Sequence, residues 1–380
     1  MWYILLEIRR NDRLLRRTLN LSEIELTSKK RIGYIDVCKG IAIILVIVGH
    51  TIQSDTYLHR LIYSFHIPVF FFISGMFLNL CKYQIGDIRF TIFARKNLVL
   101  IFTYVFYSCL FLLFDFVRII FIGYPIKKII LNFWLFFTTS GINVLWFIST
   151  LFWGMYITLR VLIKVKDLYL RFTIILTFSA ITAFIGKYLQ NDWFQSGNLA
   201  KCLYYLILGI ARPFSVTIFL FVGYELKRFF TLENNLPLKW LWLFPSAGIT
   251  CMCATRLCEV DIHLMRFGVF PIYLLGGISG SIFLLILSEY VAKIHVLKKL
   301  LSYYGINTIF IMATHNYLPV IMLSEWICTS IMPSQFVLFG TILFVVMIET
   351  ILLNTVGINV QTRLEKCAKS INHSKCSKSF

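Results

Sequence analysis

Residues 31–50 read Arg31-Ile-Gly-Tyr-Ile-Asp36-Val-Cys-Lys39-Gly-Ile-Ala-Ile-Ile-Leu-Val-Ile-Val-Gly49-His50. The apolar run 41–48, together with its flanks, approaches the roughly 20 residues that an α-helix needs to cross a bilayer. The predicted helix, which begins at Tyr34, nevertheless carries one acid, one lysine and one histidine, namely Asp36, Lys39 and His50. This combination predicts a membrane helix whose polar groups face the interior of a helix bundle, because charge in contact with lipid is costly.

The rest of the chain shares this apolar character. Of its 380 residues, 58% are hydrophobic and only 14% are charged, against roughly 25% charged in an ordinary soluble domain. Successive apolar segments predict an all-α, polytopic integral membrane protein with about ten transmembrane helices. The predicted spans are 34–53, 60–80, 98–121, 142–163, 172–189, 202–224, 239–258, 267–291, 302–324 and 335–355. The segment 122–140, which contains Pro125 and two lysines, is interpreted as an outside or re-entrant segment.

Basic residues lie between the apolar segments. Of the 37 Lys and Arg residues, 27 fall into six clusters that occupy alternate loops and the two ends. The clusters lie before Tyr34, at 82–96, 160–171, 227–239 and 293–299, and after Gly357. The positive-inside rule places them, and both termini, in the cytoplasm. We therefore predict an inner-membrane protein with a basic cytoplasmic N-terminal segment (1–33), a transmembrane domain (34–356) and a basic cytoplasmic tail (357–380).

The net charge of +19 does not indicate a nucleic-acid-binding protein. Such a protein gathers its basic residues on one folded face with aromatic residues between them, whereas here they are distributed over loops. Membrane lipids are the expected surroundings instead. The ten cysteines include no Cys-x-x-Cys pair and no spacing with histidine that suits zinc, so no metal site is predicted.

The three ionisable residues of the first span share one helix face. Lys39 and His50 lie about 20° from eclipsed, and Asp36 lies about 40° from His50 in the other direction. The helical rise separates Lys39 from His50 by roughly 16 Å, so the two line one channel without touching. Asp36 and Lys39 can neutralise each other at i and i+3, which is also consistent with a structural role. Taken alone, a buried histidine such as His50 is more often a packing residue than a catalyst.

Four later motifs give the first span a context. They are the stretches Ser64-Phe-His66-Ile-Pro68 to Gly75, Leu145-Trp146-Phe-Ile148, Phe219-Leu-Phe-Val-Gly-Tyr224 and Tyr304-Gly-Ile-Asn307 to His315. Together with Lys39, ten intervening residues and His50, this ordered set resembles the acyltransferase-3 family of membrane O-acyltransferases over about residues 34–350. Among its members, the chain looks most like the acetylases of fucose and other polysaccharide sugars. The family usually has Arg-x-x-Arg at the start of its third helix, where this chain has Arg95 and then Leu98.

The resemblance implies transfer of an acetyl group to a sugar hydroxyl of a lipid-linked or exported polysaccharide. Acetyl-CoA would be the donor, with no permanently bound cofactor. His50 would be the general base, and Lys39 with Asp36 would supply charge near the donor. The donor phosphates would meet cytoplasmic basic side chains, for which the candidates are Arg95, Lys96 and Arg31.

Candidate acceptor-binding residues are His66, Trp146, His315 and Asn316. His66 also fits a cross-helix hydrogen bond, and Trp146 also fits simple packing. Two other functions use the same polar residues: a glycan transporter or flippase with a proton or substrate path, and a non-catalytic membrane subunit. Thioester hydrolysis by the purified protein separates an enzyme from both.

Overall fold

The computed structural model describes residues 33–52, 56–83, 90–195, 197–231, 236–255, 260–316 and 320–376. Within these ranges the chain forms helices joined by short turns, together with one isolated antiparallel bridge between Asp261 and Arg266. The α-helices are α1 (Gly33–Thr51), α2 (Tyr57–Phe65), α3 (Pro68–Met76), α4 (Phe90–Lys96), α5 (Leu98–Ile122), α6 (Ile126–Phe137), α7 (Trp146–Lys164), α8 (Leu168–Leu189), α9 (Asn198–Ser215), α10 (Thr217–Thr231), α11 (Leu236–Cys253), α12 (Phe270–Val291), α13 (His295–Ile306), α14 (Thr308–Thr314), α15 (Val320–Ile331), α16 (Ser334–Leu352) and α17 (Ile358–Cys376). A π-helical turn, Leu353–Gly357, joins α16 to α17.

In the part of the chain that the structure describes, seven helical stretches are long and apolar enough to cross a membrane. They are Gly33–Thr51, Leu98–Phe121, Asn143–Lys164, Leu168–Leu189, Asn198–Lys227, Phe270–Val291 and Phe336–Ile371. The predicted fold class, an all-α polytopic membrane protein, is confirmed. The count of about ten spans stays a prediction. The last stretch continues as helix into residues that the charge pattern assigns to a cytoplasmic tail.

Besides the span 202–224, which passes from α9 to α10 at Val216, two predicted spans are not continuous helices. The span 60–80 is divided into α2 and α3, because Pro68 at the start of α3 has no N–H to donate to the preceding turn. The span 302–324 is divided into α13, α14 and α15. At the first of these divisions, the Asn307 side chain donates to the carbonyl of Tyr303 (2.8 Å), a local bond that competes with helix continuation. A histidine stands at one end of each broken region: His66 caps α2, and His315 caps α14.

The segment predicted as outside or re-entrant contains α6. The Tyr104 hydroxyl of α5 donates to the Phe136 carbonyl (3.0 Å), and the Trp134 indole donates to the Cys202 carbonyl of α9 (2.9 Å). A tight turn then reverses the chain at Gly141, whose φ of +84° belongs to the left-handed region that favours glycine. A side chain on Gly141 would also overlap the backbone of Trp146. This turn therefore determines where α7 begins.

Glycines bring two helix pairs into backbone contact. Between α1 and α13, Gly40 lies against the Leu301 carbonyl, and Gly305 lies against that of Asp36. Between α3 and α10, Gly75 and Gly223 make the equivalent pair of contacts. Helices in a membrane associate through such close packing, because lipid supplies no hydrophobic driving force between them. The contact between α1 and α13 therefore fixes the helix that carries Asp36, Lys39 and His50.

We expect Gly305→Ala to destabilise the protein. The new methyl group would overlap the Asp36 carbonyl oxygen, which cannot move without displacing α1. Overpacking of this kind costs about 1–3 kcal/mol, so the thermal unfolding midpoint in detergent should fall. Gly248→Ala is the matched control, because Gly248 in α11 faces open space and alanine favours the helix. Unchanged unfolding of Gly305→Ala would contradict the close α1–α13 contact.

Candidate functional site

The first helix holds its charged pair near one end and its histidine at the other. The Lys39 ammonium lies 3.9 Å from the carboxylate of Asp36, the pairing expected from their i and i+3 positions. Asp36 is buried and Lys39 is partly exposed. His50 occupies the last turn of α1, and its side chain is exposed. The helix therefore links two separate polar regions.

The first region is a cavity of about 490 Å³ at the end of α1 that the charge pattern assigns to the cytoplasm. Its lining combines two lysines with polar and apolar side chains from α1, α3, α7 and the α3–α5 connection. The lining residues are Lys39, Ile73, Ser74, Phe77, Leu78, Asn79, Tyr83, Lys96, Asn97, Met155 and Leu159. A cavity with two cations and an apolar wall suits a ligand that is anionic at one end and apolar at the other.

The structure distinguishes among the basic residues proposed for the donor phosphates. Lys96 lines the cavity, and its ammonium lies 4.6 Å from the centre of the Tyr83 ring. Arg95 is exposed on α4 and is not part of the lining. Arg31 lies outside the described residues. Of the two candidates that the structure describes, Lys96 is the one that shares a cavity with Lys39.

The second region is built around His50 and His315. Their ring centres are 5.3 Å apart, with the planes tilted by 43°. His315 is completely buried, and its Nδ1 lies 2.8 Å from the Ile311 carbonyl. A carbonyl only accepts, so Nδ1 carries the proton and the neutral ring keeps a lone pair on Nε2. That Nε2 has no hydrogen-bond partner among the described residues.

Behind His315, a polar contact fixes the end of α14 against α16. Thr314 donates to the carboxylate of Glu349 at 2.6 Å, and Glu349 is 1% exposed. Buried acids are rare in membrane helices and are normally paired in this way. Asn316 follows directly and is exposed. Because α14 ends at Thr314, His315 and Asn316 lie at a helix break and not inside a continuous ninth span.

Further aromatic side chains of α2 extend this second region. The Tyr63 ring lies 6.4 Å from His50, 4.8 Å from His66 and 3.9 Å from His59, measured between ring centres. His66 is buried, and its Nδ1 lies 2.7 Å from the Ile62 carbonyl. His66 therefore makes a bond within its own helix through Nδ1. The cross-helix bond and the acceptor contact considered from the sequence stay predictions.

Trp146 belongs to a third group of side chains, which includes two that the sequence did not single out. Its ring stacks on His263 at 5.5 Å, and the Arg212 guanidinium carbon lies 5.2 Å from the ring centre. His263 lies in the loop between α11 and α12, near Asp261. The signal for Arg212 was available, since a single arginine in an apolar span is costly. No comparable signal marked His263.

The loop histidine connects this group to His50. Burial, with Arg212 and His50 within electrostatic range, lowers the pKa of His263 to about 3. Its imidazole is therefore neutral at physiological pH. Five of the seven histidines of the chain thus lie in this part of the molecule, namely His50, His59, His66, His263 and His315. Even so, no group of three or more His, Cys, Asp or Glu among the described residues has an arrangement that would hold a metal ion.

Comparisons with known proteins are consistent with this arrangement of residues. A family model described as an acyltransferase domain, acyltransferase-3, matches residues 32–353. The match includes every site residue named above except Arg31. No curated protein and no solved structure matches the chain.

Proposed function

Because this chain belongs to the acyltransferase-3 family, we propose that it moves an acetyl group from acetyl-CoA to a sugar hydroxyl of a lipid-linked or exported polysaccharide. The observation that carries the proposal is the placement of Lys39 and His50 on α1. Lys39 borders a cavity at one end, and His50 borders a group of buried polar side chains at the other. Donor and acceptor would therefore approach from opposite ends of one helix, in the inner membrane of the cell.

Two features of the cavity support its assignment as the acetyl-CoA site. Lys96 and Lys39 provide positive charge for the phosphates and for the polar part of the pantetheine arm. The apolar side chains of Phe77, Met155 and Leu159 would pack along the arm. The arm would extend along α1 toward His50, since the roughly 16 Å rise from Lys39 must be covered by the donor.

The proposed chemistry begins at His50. Its imidazole accepts the proton of the sugar hydroxyl while the oxygen attacks the thioester carbonyl carbon. The tetrahedral intermediate collapses, the C–S bond breaks, and the proton passes from His50 to the leaving thiolate. The products are the acetyl ester and CoA, and His50 returns to its neutral form.

His315 is proposed to position His50. Its Nδ1 is committed to the Ile311 carbonyl, so its free Nε2 can accept an N–H from the exposed His50 ring after a small rotation of that ring. The other His50 nitrogen would then face the acceptor as the base. A base held by a third group is the usual arrangement in acyl-transfer enzymes.

The direct test is thioester cleavage by the purified protein. An acetyltransferase should release free CoA from acetyl-CoA faster when an acceptor glycan is present. A transporter or a non-catalytic subunit does not cleave the thioester, so neither should release free CoA. No CoA release with any glycan prepared from the source cell would overturn the proposal.

We expect Lys96→Ala to raise the KM for acetyl-CoA about tenfold while leaving kcat nearly unchanged. A lost phosphate contact weakens ground-state and transition-state binding together. Arg95→Ala should raise the KM less, because Arg95 lies outside the lining. Lys166→Ala, an exposed lysine beyond the end of α7, is the control for charge alone. A larger effect of Arg95→Ala than of Lys96→Ala would place the phosphates outside the cavity.

A further inference from the structure

Arg212 of α9 is a buried cation that uses one of its three guanidinium nitrogens for a hydrogen bond within the described residues. Its side chain is 1% exposed, and Nη1 donates to the Ser140 carbonyl at 2.9 Å. Nε and Nη2 have no hydrogen-bond partner among the described residues. Buried donors are almost always satisfied in folded proteins. An arginine left in this state therefore points to a ligand.

The two unpartnered nitrogens define what that ligand looks like. Nε and Nη2 lie on the same edge of the planar guanidinium, with their N–H bonds parallel. This edge matches two oxygens of one carboxylate or phosphate group, each accepting one hydrogen bond. The third nitrogen, Nη1, faces the other way and is occupied by the Ser140 carbonyl.

The protein itself supplies little countercharge for Arg212. Asp261 is the acid within electrostatic range of Arg212, and the tyrosines Tyr104, Tyr204 and Tyr205 and the neutral His263 are the other titratable groups near it. The Asp261 carboxylate accepts from the Leu264 N–H at 3.2 Å, and it makes no ion pair with Arg212 in the described part of the chain. Removing an uncompensated cation from water is costly, so an incoming anion would be bound strongly.

The surroundings fit a sugar that carries the anion. The Trp146 ring lies 5.2 Å from the guanidinium carbon and stacks on His263, and both aromatic rings offer flat faces to a pyranose. The turn that precedes α7 holds this arrangement together. Gly209 of α9 packs against it, and a Cβ there would lie 2.6 Å from the Thr138 carbonyl oxygen. The short helix α14, which ends beside His315, packs against the turn Asn143–Leu145 that directly precedes Trp146, and His263 lies within electrostatic range of His50. The group therefore lies beside the proposed reaction site.

We propose that Arg212 binds a carboxylate or phosphate of the acceptor, so that the preferred acceptor is an acidic sugar. The inference rests on the proposed function for its reaction, but the binding step can be measured without turnover. Arg212 acts here as a specificity residue: it holds the acceptor while His50 removes the hydroxyl proton.

The test compares three methyl β-glycosides that differ only in the group at C6. Methyl β-glucoside carries a neutral hydroxymethyl group, methyl β-glucuronide a carboxylate, and methyl β-glucoside 6-phosphate a phosphate ester. Binding to the full-length protein in detergent is measured by calorimetry, without acetyl-CoA. Wild type should bind an acidic probe about 10- to 100-fold more tightly than the glucoside, as expected for charge-assisted hydrogen bonds. The stronger of the two acidic probes identifies the anion as carboxylate or phosphate.

Variants assign the preference to Arg212. Arg212→Gln should remove the preference, so that the acidic probes bind no more tightly than the glucoside, and Arg212→Lys, which keeps the charge without the planar edge, should be intermediate. Arg266→Gln, an exposed arginine of the neighbouring loop, should keep the preference. Equal binding of all three probes by wild type, or a preference that survives Arg212→Gln, would overturn the inference. Failure of the proposed function would give a different result: the wild-type protein would bind the acidic probe but would never cleave acetyl-CoA.

Discussion

His50→Ala is expected to lower turnover by about 10²- to 10⁴-fold, the usual contribution of general acid–base catalysis, while leaving acetyl-CoA binding nearly intact. The expectation rests on the exposed ring at the end of α1 and its 5.3 Å separation from the buried His315. The donor cavity lies at the opposite end of the helix, so the substitution should not alter it. Initial rates of acetyl transfer, divided by the amount of folded protein, measure the effect.

A second substitution separates catalysis from packing. Asn at position 50 keeps a polar side chain but cannot accept the hydroxyl proton, so His50→Asn should be as inactive as His50→Ala. If His50 only satisfied a neighbouring hydrogen bond, Asn would restore most of the activity and Ala would mainly reduce stability. Near-wild-type turnover in His50→Asn would remove His50 from the mechanism.

The second large effect is expected at His315. His315→Gln should lower kcat by about 10- to 100-fold with an unchanged KM for acetyl-CoA, because a base that is poorly oriented loses part of its rate advantage. Gln retains a donor for the Ile311 carbonyl, so folding should be preserved. The measurement is the kcat and KM split with acetyl-CoA as the varied substrate.

Two controls make this result specific. His295→Gln alters an exposed histidine at the start of α13, away from the cluster, and should leave kcat unchanged. In the double variant His50→Asn with His315→Gln, the losses should not add, because His315 acts through His50. Fully additive losses would show that His315 has a role independent of His50.

Length and hydropathy predict the fold class of this chain but not its breaks. The all-α membrane fold follows from apolar segments long enough to cross a bilayer. Pro68 gave a local reason for the division between α2 and α3. The break around Asn307 depends on a side-chain bond to the Tyr303 carbonyl, which an apolar pattern does not reveal. Hydropathy also predicts residues 302–324 as one span, although this stretch contains parts of the three helices α13, α14 and α15.

The sequence predicted the part of the candidate site that lies on one helix, but not the contacts between helices. Helical periodicity places Lys39 and His50 on one face of α1, because both belong to the same element. The orientation of α4, which turns Lys96 and not Arg95 into the cavity, depends on packing against other helices. Arg212 and His263, which contact Trp146, lie 66 and 117 positions after it in the sequence. Only the fold brings these together, through the turn at Gly141 and the loop between α11 and α12.

Transfer across a sealed membrane shows whether donor and acceptor reach the two ends of α1 from opposite sides. Purified protein is reconstituted in sealed vesicles that enclose oligosaccharide prepared from the source cell's surface polysaccharide, and labelled acetyl-CoA is added outside. If the donor binds near Lys39 and the acceptor near His50, label should appear on the enclosed oligosaccharide, and His50→Asn should abolish it. Label that appears only when donor and acceptor share one side, or that persists in His50→Asn, would contradict the account.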